Sequence, residues 1–207
     1  MPQEPPPNSD ADAVLVSRMI AGDREAFAAL FRRHERSVYR FALQMTGAGD
    51  LADDVTQEVF MALARGGSRY VPEQGLLSTY LYGVARNIVR QQERRRRARQ
   101  EVDLEAIEVD RAAAVPDPVD QLTRERSLAA LRQAILRLPP HYREVIVLCA
   151  LHALSYDETA LVVGCPVGTV RSRLNRARRM LSDRCRASLR ESGAVSSWSR
   201  VLSGVSR

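Results

Sequence analysis

The sequence predicts an all-α fold: two small helical domains joined by a flexible acidic linker, the second ending in a helix-turn-helix. Apolar residues recur at three- and four-residue spacing along most of the chain, and no stretch alternates as a strand does. Aromatic residues make up only 5%, while good helix formers such as Ala, Leu, Arg and Glu abound. Glycines and prolines interrupt the periodic stretches at helical lengths. The length, 207 residues, suits one ordinary domain or two small ones.

Residues 1–9 are proline-rich and predict a disordered arm, with neither the basic nor the apolar segment of a secretion signal. Ala11–Ile20 predicts a short helix closed by Gly22. Asp23 offers an N-cap to a second helix, where Phe27, Leu30, Phe31, His34, Val38, Phe41, Ala42 and Met45 form a buried stripe. His34 lies on that stripe and reads as a core histidine. Gly47 and Gly49 break the helix, and Asp50 starts a third with Leu51, Val55, Val59 and Leu63 inward. Gly66-Gly67 stop it, Ser68–Gly75 forms a loop, and Ser78 caps a fourth helix carrying Leu81, Val84, Ile88 and Val89 inward.

The stretch EVDLEAIEVDRAAAVPDPVD has weak periodicity and reads as a linker. The modules are then residues 10–99 and 122–190, with the linker at 100–121 and a serine-rich tail at 191–207. Leu128, Leu131, Ile135 and Leu138 line the first helix of the second module, closed by Pro139-Pro140. Val145, Ile146, Leu148 and Cys149 mark the next. Ser155-Tyr156-Asp157-Glu158 is a capping box opening the helix Tyr156–Val163. Gly164-Cys165-Pro166 turns the chain into a last helix, from about Val167 to Arg184, with Val170, Leu174, Ala177 and Leu181 inward.

Charge sharpens this division. All 31 basic side chains are arginine, and the net charge is +6. Residues 86–100 carry seven arginines against Glu93, a net +6; residues 101–120 carry seven acids against Arg111, a net −6; residues 166–190 carry eight arginines against Asp183, a net +7. Two basic segments around an acidic one point to nucleic acid. The absence of lysine fits a GC-rich genome; the placement of the arginines carries the functional information. No run approaches a membrane span, so no direct membrane insertion is expected. Cys149, Cys165 and Cys185 are too scattered for a disulfide framework or a zinc site. No His, Cys or Asp cluster suggests catalysis, so neither an enzyme nor a metal nor a cofactor is expected.

Three groups of residues stand out. On the last helix Thr169, Arg171, Ser172, Arg173, Arg176 and Arg179 are left outward, as a major-groove reader requires, with Arg178, Arg184 and Arg186 suited to phosphates. On the fourth helix Tyr80, Tyr82, Arg86, Asn87 and Arg90 mix rings with cations, which suits unstacked bases, although the same spacing suits tyrosines packed in a core. The preceding loop Gly66–Leu77, with Arg69 and Tyr70, could hold a flipped base. On the third helix Asp53, Asp54, Gln57 and Glu58 repel DNA and suit a basic protein partner.

Asp54–Phe60, Tyr80–Asn87, Leu138-Pro139-Pro140, Tyr156–Ala160 and Cys165–Leu174 with Arg176-Ala177-Arg178, in this order, closely resemble extracytoplasmic-function sigma factors of bacterial RNA polymerase, within the sigma-70 family. The resemblance covers about Asp10 to Arg190. It implies that the region of Asp53, Asp54, Gln57 and Glu58 docks on the beta-prime clamp helices of core polymerase. It implies that the loop Gly66–Leu77 and the fourth helix (Arg69, Tyr70, Tyr80, Arg86, Asn87, Arg90) recognise and melt the minus-ten element. Thr169, Arg171, Ser172, Arg173, Arg176 and Arg178 would serve the minus-thirty-five element, the second module would meet the beta flap, and the acidic linker would thread toward the RNA exit channel. The family also implies promoter DNA, an anti-sigma partner and a place in the cytoplasm, at the nucleoid or held at the inner membrane by that partner. Tyr80 stands where the family commonly has Trp, and Thr159 where it commonly has Ile. A one-component helix-turn-helix regulator is the alternative.

Overall fold

A computed structural model of the chain describes residues 9–66, 69–102 and 129–192. The proline-rich arm, most of the acidic linker, Leu128, and the tail from residue 193 lie outside the described residues.

The described residues are helical. Four helices form the first module: α1 (Ser9–Ile20), α2 (Arg24–Thr46), α3 (Gly49–Gly66) and α4 (Leu77–Val102). The second holds α5 (residues 129–136), α6 (Pro140–Ile146), α7 (Tyr156–Val163) and α8 (Val167–Ser192). A short 3-10 turn, Pro72–Gln74, lies between α3 and α4, and a π-helical turn, Val147–Leu151, follows α6.

α2 starts as its sequence predicts. Asp23 Oδ1 accepts from the amides of Glu25 at 2.9 Å and Ala26 at 3.2 Å, while Oδ2 takes Arg18 from across the turn. Gly47, at φ 76, closes it in the left-handed conformation, its N–H bonded to Leu43 O. Leu30, Val38, Phe41, Ala42 and Met45 are buried along one stripe. His34 is buried with them because Asp12 of α1 meets its Nε2 at 2.9 Å, with Arg33 as a second partner. Burial pushes the Asp12 carboxyl up, but the bonds and charges of His34 and Arg33 outweigh it and hold the group below its ordinary range. This triad pins α1 to α2.

Two starts differ from expectation. Gly49 belongs to α3 instead of breaking α2 away from it, since Gly47 alone supplies the left-handed stop. α4 starts at Leu77, so Ser78 lies in its first turn and is not its cap. α4 also runs on through the arginine run to Val102, into the stretch read as linker, because arginine, glutamine and glutamate are good helix formers and no breaker intervenes. α8 likewise continues past Arg184, to Ser192.

The capping box is complete: Ser155 Oγ accepts from the Glu158 amide, and Glu158 Oε2 accepts from the Ser155 amide at 2.8 Å. Gly164, at φ 67, ends α7, and α8 lays Val170, Leu174, Ala177 and Leu181 into the core. Thr159 on α7 is fully buried, its hydroxyl 3.2 Å from Cys149 Sγ.

The two modules also pack on each other. α7 lies on α4, and the π-helical turn lies on α2. A Cβ on Gly47 would stand 2.8 Å from Leu136 Cδ1, so the second module comes close to the end of α2 there.

Candidate nucleic-acid interface

α3 buries Ala52, Val55, Thr56, Val59, Phe60 and Leu63 on one side. Asp53, Asp54, Gln57 and Glu58 are left exposed on the other, as their spacing requires. The four form one patch, and Glu58 extends it to the edge of a cleft between α3 and α4.

That cleft, of about 510 Å³, is lined by Glu58, Met61, Arg65, Arg69, Tyr80 and Asn87 among others. Arg69 and Asn87 are exposed, and Tyr80 is half-buried with its ring presented to the cleft. A flat aromatic wall beside an amide and two guanidinium groups can hold an unstacked base. A second cleft, of about 340 Å³, joins it at Tyr80 and Asn87 and is bounded on the far side by Leu161 and Val162 of α7.

The minus-ten candidates therefore separate. Arg69, Tyr80 and Asn87 share the cleft. Tyr70 is buried, its ring 5.8 Å from that of Tyr80, and burial raises its hydroxyl pKa. It packs the loop onto α4. Arg86 and Arg90 leave α4 on a different face, toward Glu144 of α6. Arg86 Nε lies 3.0 Å from Glu144 Oε2, and Arg90 Nε lies 3.5 Å from Oε1. Tyr82 is a core residue, 5% exposed, 2.9 Å from His152 Nδ1. Of the two readings of the tyrosines, packing holds for Tyr82, while Tyr80 lines the cleft.

On α8, Arg171, Ser172, Arg176 and Arg179 are exposed. Arg171 lies over the Tyr156 ring, 5.6 Å from its centroid. Thr169 and Arg173 are half-buried at the flanks, Arg173 reaching Cys165 Sγ. Arg178 is half-buried on the side of Cys149, with Nη2 enclosed, so it stands apart from the outward row. Burial raises the Cys149 thiol pKa, and the residue acts as packing.

Sequence reasoning missed Glu144, Arg143 and His152. One signal was available: Glu144 occurs in register with Leu148 on an otherwise apolar face, where an acid demands a partner. Nothing local could name that partner, which comes from α4.

Residues 30–99 match the family description "Sigma-70 region 2", and residues 128–181 match "Sigma-70, region 4". The chain is 36% identical over 167 residues to ECF RNA polymerase sigma factor SigE of Mycolicibacterium smegmatis, covering 78% of this chain and 63% of that protein. It is 32% identical over 174 residues to ECF RNA polymerase sigma factor SigM of Mycobacterium tuberculosis, covering 83% of each. It is 32% identical over 186 residues to the ECF RNA polymerase sigma-E factor of Escherichia coli, covering 86% of this chain and 96% of that one. Among solved structures it is similar to sigma factor RpoE in complex with anti-sigma factor NepR from Bartonella quintana, with TM-score 0.62, 25% identity, and coverage of 77% and 96%. It is also similar to CnrH in complex with the cytosolic domain of CnrY, with TM-score 0.63, 25% identity, and coverage of 89% and 100%.

Proposed function

This chain belongs to the extracytoplasmic-function sigma factors of the sigma-70 family, and from that premise we propose how its surfaces divide the work of starting transcription. It is an alternative sigma factor, a member of a family of transcription initiation factors. The acidic patch of Asp53, Asp54, Gln57 and Glu58 docks on basic helices of the beta-prime clamp. The cleft of Arg69, Tyr80 and Asn87 takes an unstacked base of the minus-ten element, while Arg86 and Arg90 hold the melted strand. Tyr70 supports this surface from beneath. Arg171, Ser172 and Arg176 read the minus-thirty-five element, Thr169 and Arg173 flank them, and Arg178 is left to steady the helix near the backbone.

The observation that carries this reading is the row on α8. Its exposed arginines stand opposite a fully buried stripe, at the start of a helix held by a capped partner helix and a glycine turn. An arginine in that place can bind guanine bidentately, discriminating by about 1–3 kcal/mol per pair.

An anti-sigma factor holds the protein inactive until a stress or envelope signal arrives; the similar sigma factor RpoE, solved in complex with anti-sigma factor NepR, supports this. The protein then works in the cytoplasm at the nucleoid, and at the inner membrane while that partner holds it. Among the described residues no helix is long and apolar enough to cross a membrane. Reconstitution tests the reading. Purified chain with core polymerase should start transcription at discrete promoters on genomic DNA, and the chain alone should bind those duplexes weakly. Tight sequence-specific duplex binding without polymerase would favour the one-component regulator.

A further inference from the structure

The arginines around α2 are sorted by partner. Arg33 pairs with Asp12 of α1, and Arg18 of α1 pairs with Asp23 at the α2 cap. Arg32, Arg36 and Arg40 are exposed and follow one another at four-residue spacing, so they form a single row on the outer side of the helix. Arg32 and Arg36 have no ion-pair or hydrogen-bond partner among the described residues. Glu35 is exposed beside the row and Glu25 is exposed two turns before Arg32, and neither pairs with Arg32 or Arg36.

The row does not serve the helix. Like charges four residues apart repel and weaken a helix, whereas a glutamate in one of the two places would strengthen it. The row also stops short of the last turn of α2, which holds no basic residue, so the helix dipole gives it no support. The absence of lysine from the chain chooses the kind of cation and not its place.

The row starts beside α4. Phe41, next to Arg40, meets Tyr82 of α4 with ring centroids 5.4 Å apart, and Arg86 follows Tyr82 by one turn. From there the row runs toward the α1 side of the bundle, where Arg33 holds Asp12. We propose that Arg32, Arg36 and Arg40 form a further single-strand site, which grips the phosphate backbone of the strand where it leaves the minus-ten cleft. The proposal rests on the reading of that cleft as the seat of an unstacked base.

Spacing and chemistry both fit a single strand. Successive positions of the row stand about 6 Å apart along the helix axis. That is roughly double the 3.4 Å rise per step of a stacked duplex strand, and it suits a backbone drawn out where its bases are unstacked. Guanidinium groups with no partner in the protein keep their donors for phosphate oxygens, whose geometry they match bidentately. The contact is with backbone, so it adds affinity and carries no base preference.

Full-length Arg32→Ser/Arg36→Ser tests this; Arg40 is left in place because it also lies near His152. Arg24→Ser is the control, since Arg24 is exposed at the start of α2 and off the row. Circular dichroism and thermal melting confirm that both variants fold. A fluorescent single-stranded oligothymidine reads binding by anisotropy over a range of salt concentrations, without polymerase. The double variant should bind about ten-fold more weakly at the lowest salt, and the slope of log affinity against log salt should shrink by about 1.4, as two lost phosphate contacts require. Arg24→Ser should leave the slope unchanged. An unchanged slope in the double variant, or no measurable binding by the wild type, overturns the site. The same loss per charge in Arg24→Ser overturns the row and leaves net charge as the cause. An equal loss on duplex DNA of the same length overturns the assignment to single strands. Unchanged DNA binding with weaker capture of core polymerase gives the row to a protein partner and overturns the proposal. The cleft is scored separately, by Tyr80→Ala with core polymerase on promoters randomised in the minus-ten element. Unchanged base preference there overturns the reading of the cleft, whatever the α2 slope does.

Discussion

Arg171 and Arg176 leave α8 on its solvent side, and the Tyr156 ring steadies the Arg171 guanidinium from below. Arg171→Ala or Arg176→Ala should change base preference within the upstream promoter element only, by about 1–3 kcal/mol at one position. Transcription from a library randomised in that element checks it; a uniform loss across sequences would show contact with phosphate alone. At this scale the sequence is a partial guide. His34 on an apolar stripe is correctly a core residue, because stripe position decides burial. Tyr80 and Tyr82 are two residues apart in the same helix and look alike, yet one lines a cleft and the other is buried under His152. The difference depends on what covers each face, and periodicity within one helix carries no information on that.

α3 shows how an element can serve two masters. Its apolar spacing sets the buried face, and whatever remains is free to carry function. Gln57→Ala with Glu58→Ala should weaken binding to core polymerase about ten-fold while leaving thermal stability within about 0.5 kcal/mol, as both side chains are exposed. A pull-down with unchanged affinity would refute the docking. The helix-turn-helix is legible almost to the residue, since its cap, its glycine and its turn proline are local signals. The π-helical turn after α6 is not. Val147–Leu151 reads as ordinary helix by periodicity, and the wider turn, closed by His152 N to Val147 O at 3.1 Å, exists because it suits both the core beneath Leu148 and the seat of His152 on α2 and α4.

Side chains from both modules meet at His152, and this should make the packing there sensitive to acid. Burial, with Arg40 nearby, lowers the His152 pKa from 6.5 to about 4. The ring faces Tyr82 of α4, Gln44 and Arg40 of α2, and Phe41 edge-on. Because the buried ring refuses a proton that the unfolded chain's ring accepts, its contribution to stability is complete above about pH 6.5 and falls as pH drops from 6.5 toward 4. Scattering or thermal melting between pH 7.5 and 5 should show the chain loosening on the acid side, and His152→Ala should remove that part of the dependence. An identical pH profile in the variant would show that His152 does not contribute. Asp12 lies outside this window, since a lowered carboxylate pKa keeps its stabilisation complete above 3.8 and loses it only as pH falls below that value.

By itself the sequence determined the helical class, the helix-turn-helix, the sorting of charge into two basic segments around an acidic one, and the family. All of these depend on spacing along the chain, which short-range physics reads directly. The tertiary structure alone decided which of the α4 residues share a cleft, that Tyr70 supports rather than lines it, and that Glu144 and His152 bring the second module onto the first. Those outcomes depend on which side chains meet across a turn or, for Glu144 and His152, across about 60 residues of intervening chain. Burial, partner geometry and pKa are properties of the encounter and belong to neither segment alone.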